Sequence, residues 1–123
     1  LLGRRMLTYF VGLVLGGVDS DGGHVYAVDA AGGAISDKYV AEGSGSPYVY
    51  GVLEDHYNEE MDINEGIDIA ILSLLVSSSR DSASGDGIRV AKISRDEGFE
   101  EIDDEEIKKR ISNIRQEKNL PAL

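Results

Sequence analysis

Gly43-Ser44-Gly45-Ser46-Pro47-Tyr48-Val49-Tyr50-Gly51-Val52-Leu53-Glu54 is the stretch on which the reading of this chain turns. Two glycines flank Ser44, so the backbone can turn sharply there and another segment can come close. Ser46-Pro47 then predicts a helix start, with Ser46 at the N-cap and Pro47 at the first helical position, where a missing N–H costs nothing. Val49, Val52, Leu53 and Tyr57 share one helical face, and Glu54, Asp55 and Glu59 are left to solvent.

Downstream, Asp62 and Glu65 have the spacing of a capping box that opens a second helix. Its apolar positions Ile63, Ile67, Ile71, Leu74 and Leu75 recur at helical spacing. It is expected to fade at Ser77-Ser78-Ser79, a run of weak helix formers. A second loop follows, Arg80-Asp81-Ser82-Ala83-Ser84-Gly85-Asp86-Gly87, in which Asp81 and Ser84 could converge on one polar centre. Ile88–Ile93 then predicts a strand, paired across Asp96-Glu97-Gly98 with Phe99–Ile102. The last helix opens at Asp103 with Glu106 at its third position, stapled by Ile102 and Ile107. Ile107, Ile111 and Ile114 form its buried stripe.

Upstream, Tyr9–Val18 is a continuous apolar run that reads as a strand buried on both faces. Asp19-Ser20-Asp21-Gly22-Gly23 is a turn, and His24–Asp29 completes a hairpin. After Gly32-Gly33, Ala34–Glu42 supplies one more strand. The order is therefore strands, two helices, strands, helix. No repeat or linker divides residues 1–123, which read as a single domain or a piece of one.

Composition narrows the function classes. The chain has 123 residues, 41% hydrophobic and 28% charged, with no cysteine, which excludes disulfides and thiolate chemistry. Its 23 acidic residues against 12 basic ones give a net charge of -11. Such a surface disfavours phosphate backbones and anionic membranes, so neither nucleic acid nor membrane is an expected partner. The apolar run at Tyr9 is too short to cross a bilayer. Taken singly, both small-residue loops read as ordinary turns. Asp19 and Asp21 lack the remaining ligands of a calcium loop. The acidic surroundings of His56 lack the two-histidine spacing of a zinc helix. A serine-hydrolase elbow at Ser44 would need a histidine partner, and only His24 and His56 are available.

Together the two loops are more specific. The run from Gly43 to Glu54, followed by Arg80–Ile88, resembles the β subunits of archaeal-type 20S proteasomes, and Gly16-Gly17-Val18-Asp19 with Val25–Asp29 is similar to that family's paired strands. The resemblance covers the chain to about Lys109. Ala30 departs from it, standing where the family commonly has proline.

What the resemblance implies is an α+β fold, the C-terminal part of the N-terminal-nucleophile hydrolase αββα sandwich, with two stacked antiparallel sheets between helical layers. It implies a threonine endopeptidase that acts in the cytoplasm on unfolded polypeptides inside stacked rings of α and β subunits, with an ATPase regulator and no cofactor. By the family pattern, Ser44 and Ser84 hydrogen-bond around the amine of the nucleophilic threonine, Asp81 orients that network, and Asp29 lines a substrate pocket. The threonine and its lysine belong upstream of the matched part, and Arg4 and Arg5 cannot replace the lysine because they stay protonated. Residues 1–123 alone are therefore expected to be a single incomplete domain without peptidase activity. Two alternatives are a non-catalytic β-type subunit of the same ring and an unrelated α/β binding domain.

Overall fold

The computed structural model describes residues 13–28, 33–80 and 87–118. They fall into two compact units, divided between Gly43 and Ser44. The first contains β1 (Leu13–Asp19), β2 (Gly22–Val28) and β3 (Ala34–Asp37), an antiparallel sheet in the order β1-β2-β3. The second contains α1 (Ser46–His56), α2 (Ile63–Arg80), the hairpin of β4 (Ala91–Ser94) and β5 (Gly98–Glu101), and α3 (Asp104–Lys118). This mixed content, with two antiparallel sheets among the described residues, agrees with the expected α+β class.

The β1–β2 turn is tighter than the sequence suggests, because Asp19 pairs with Gly22 and only Ser20-Asp21 bridge the strands. Gly22 has φ 123, which a side chain would resist. The Asp19 carboxylate accepts the Asp21 N–H at 2.8 Å and faces His24 Nε2 at 3.0 Å. The Asp21 bond first, and His24 after it, hold the Asp19 carboxyl below its ordinary pKa. β3 ends at Asp37 rather than Glu42. There the Asp37 side chain takes the Lys38 N–H at 2.7 Å, offering the backbone a local alternative to the ladder. The expected burial of both faces of β1 is not seen: Val14 and Leu15, on opposite faces, are 49% and 61% exposed.

In the second unit the core is the meeting of α2 and α3. Ile67, Ile71, Leu72, Leu75 and Ile114 pack together, with Val52 of α1 and Ile88, Val90, Ile102 and Ile111 around them. The stripe on α2 is shifted from the expected one, since Leu72 is buried while Ile63 and Leu74 are 47% and 40% exposed. Helix starts follow local chemistry. Asp62 Oδ1 accepts the Glu65 N–H and Asp103 Oδ1 accepts the Glu106 N–H, each at 2.8 Å. Ile107 is buried and Ile102 packs on the core, as the staple requires.

Two helix boundaries differ from expectation. α1 has Gly45, not Ser46, at its N-cap, with no side-chain cap; the Gly45 carbonyl accepts the Tyr48 and Val49 N–H groups at 3.1 and 3.3 Å. Pro47 still falls in the first turn, where the lost N–H has no helical acceptor. α2 runs through the serine triplet to Arg80. Ser73 and Ser78 donate to the Ile69 and Leu74 carbonyls four residues back, at 2.8 and 2.6 Å, so their hydroxyls are satisfied inside the helix rather than competing with it.

Arg110 fastens α3 to the start of α2. Its guanidinium donates to Asp68 (2.9 Å), Glu106 (2.9 Å) and the Asn64 side chain (2.8 Å). The Asp68 bond is the main influence raising its pKa. Replacing Arg110 by Ala is expected to cost about 1–2 kcal/mol, because several charge-assisted bonds are lost but the carboxylates can be rehydrated. Arg110→Lys should recover only part of this, since a compact ammonium lacks the planar fork of donors that reaches Asp68, Glu106 and Asn64 together. Urea midpoints of the three proteins check the order.

Candidate functional site

Ser44 lies in the turn that leads into α1 and is exposed. The turn is built by its two glycines. Gly43 has φ 111, in the region that favours glycine, and Gly45 is buried at the helix start. Ser44 therefore projects from a short segment bent on one side and packed on the other.

The packing comes from α2. Ser77, 3% exposed, donates its hydroxyl to the Gly45 carbonyl at 3.4 Å. This places the entrance of α1 beside the last turns of α2, which continues in sequence into Asp81. At the far side of that loop, Gly87 has φ 83 and turns the chain toward β4. Asp81 and Ser84, like Asp29, lie outside the described residues. Of the expected site residues, Ser44 is thus the one that the structure places.

His24 Nε2 lies 3.0 Å from Asp19 Oδ1 and His56 Nε2 lies 3.5 Å from Asp55 Oδ2. Among the described residues no cluster of His, Asp and Glu could hold a metal ion, and no helix is long and apolar enough to cross a membrane.

Ser77 is the residue that sequence reasoning missed. The serine triplet reads as a helix end, yet Ser73 and Ser77 are four apart and both buried. Residues four apart share a helical face, so the two serines extend the buried face of α2.

Comparison with known proteins bears directly on the two loops. A family model described as "Proteasome subunit" matches residues 1–93, a span that contains both. The chain is 46% identical over 110 residues to the proteasome subunit beta of Methanothermobacter thermautotrophicus, covering 89% of this chain and 52% of that protein. It is 47% identical over 112 residues to the proteasome subunit beta of Archaeoglobus profundus, covering 90% and 52%. With that of Thermoplasma acidophilum it shares 44% over 110 residues, covering 89% and 52%. The chain spans about half the length of the curated relatives it matches. With its α+β elements, its paired glycine-flanked loops and this similarity through most of its length, the chain belongs to the proteasome subunit family.

Proposed function

We propose that the chain is the C-terminal part of a catalytic β subunit of a 20S proteasome core, a cytoplasmic threonine endopeptidase that degrades unfolded polypeptides. The observation that carries this reading is that the family match contains both the Ser44 turn and the Arg80–Gly87 loop. In this reading the nucleophilic threonine and its lysine are supplied by sequence N-terminal to Leu1. The threonine hydroxyl attacks the scissile carbonyl carbon, and the threonine amine with the lysine manages the proton. An α-amine has an ordinary pKa of ~7.7–8.0, close to working pH, which suits it to that transfer.

Ser44 and Ser84 hydrogen-bond around the amine, Asp81 orients that network, and Asp29 lines a substrate pocket. The subunit's partners are α subunits and further β subunits in stacked heptameric rings, with a regulatory ATPase acting through them. The N-terminal-nucleophile hydrolase sandwich, with its sheets stacked between helical layers, is the architecture that this reading gives the whole subunit.

Hydrolysis of a fluorogenic peptide should be measured for residues 1–123 and for the subunit extended upstream and assembled with its ring partners. Turnover is expected only from the extended subunit. Turnover by residues 1–123 would remove the need for an upstream nucleophile. Assembly without turnover by the extended subunit would make it a ring scaffold instead.

A further inference from the structure

We propose that Ser77 is a positioning residue, whose buried hydroxyl clasps the Gly45 carbonyl and so sets the Ser44 turn against the end of α2. This inference rests on the peptidase reading above. A serine inside a helix has an easy acceptor in the carbonyl four residues back, and Ser73 and Ser78 use theirs at 2.8 and 2.6 Å. Ser77 reaches across 32 residues of sequence to the Gly45 carbonyl at the start of α1.

The acceptor it reaches is already the anchor of the first turn of α1, since Gly45 O takes the Tyr48 and Val49 N–H groups. Ser77 thus ties down the carbonyl on which that turn hangs. Ser44 is the next residue toward the N-terminus, followed by Gly43 with its φ of 111. With Gly43 held at a φ that favours glycine on one side and a clasped glycine on the other, Gly45 is the fixed point from which Ser44 takes its place. Both ends of the clasp are buried, so water cannot readily substitute for the hydroxyl. A bond of 3.4 Å adds little binding strength. Its effect lies in placement, where displacement of a supporting group by a fraction of an ångström lowers rate rather than affinity.

The test is steady-state peptide hydrolysis by the assembled subunit carrying Ser77→Ala, Ser77→Thr or Ser73→Ala. Ser77→Ala is expected to lower kcat by about 5- to 30-fold with KM unchanged within about twofold. It should also move the acid limb of the kcat profile by about 0.5 pH unit, because the amine network loses its fixed support. Ser77→Thr, which keeps the hydroxyl, should restore most of kcat. Ser73→Ala removes an equally buried hydroxyl whose 2.8 Å bond to the Ile69 carbonyl stays within its own helix, and should leave kcat and its pH profile unchanged.

Wild-type kcat in Ser77→Ala, or an equal loss in Ser73→Ala, would overturn the proposal. Should Ser77→Ala not assemble, Ser77→Cys keeps the branching with a slightly larger atom that is a weaker donor; a lowered kcat supports the clasp and a wild-type kcat refutes it. Ser44→Ala separates the two readings. If it abolishes hydrolysis while Ser77→Ala keeps wild-type kcat, only the clasp fails; if it leaves hydrolysis intact, the site reading itself fails.

Discussion

Ile71→Ala is expected to destabilise the second unit by about 3–4 kcal/mol, within the range found for removing a large aliphatic side chain from a packed core. Ile71 has no exposed surface and is surrounded by Ile67, Leu72, Leu75 and Ile114. Its neighbours are held by two helices whose own starts are capped at Asp62 and Asp103, so they cannot easily collapse into the space. The loss therefore includes a cavity as well as the transfer of the side chain. Ile71→Val should cost only about 1 kcal/mol, because a single methylene is removed. Urea unfolding followed by helical circular dichroism measures both, with a lowered midpoint and an unchanged slope. A loss under about 1 kcal/mol for Ile71→Ala would mean that this core contributes little to stability.

Asp81→Asn in the assembled subunit is expected to lower kcat/KM by about 10²–10³-fold with rings still formed. The substitution keeps shape and removes charge, so it separates electrostatic orientation from packing. A carboxylate that orients a proton-transfer group stabilises the charge that this group gains as the hydroxyl attacks. An amide can still accept a hydrogen bond but carries no such charge, and it can turn a donor toward the amine. The kinetics are read beside native mass measurement of ring assembly. Full activity with intact rings would exclude an orienting role for Asp81.

Much of the second unit was legible in the sequence because its signals act within a few residues. The caps at Asp62 and Asp103, the Ile102–Ile107 staple and the Asp96-Glu97-Gly98 turn each depend on groups separated by five residues or fewer. Gly98, with φ 69, closes that turn as its residue type suggests. The boundaries were less legible. Whether the serine triplet ends α2 depends on where its hydroxyls find acceptors, and composition is silent on that. Of the candidate site, the turn that carries Ser44 was legible from its glycines; the contact that holds it was not.

The first unit marks another limit. A continuous apolar run and turn chemistry predict the hairpin, and β1 and β2 pair through the full register from Leu13–Val28 to Asp19–Gly22. An apolar run reports that a strand can be buried. It does not report what lies over it.

By itself the sequence determined the kinds of element, their order, the caps at Asp62 and Asp103 and the glycine-flanked turn at Ser44. These are settled by side chains acting on their own backbone, at separations the chain itself enforces. Only the tertiary structure decided that Ser77 reaches Gly45 and that Arg110 joins Asn64 and Asp68, across 32 and 42–46 residues of sequence. Such bonds depend on through-space placement by a packed core, and no local preference of the chain encodes which distant atom will be within reach.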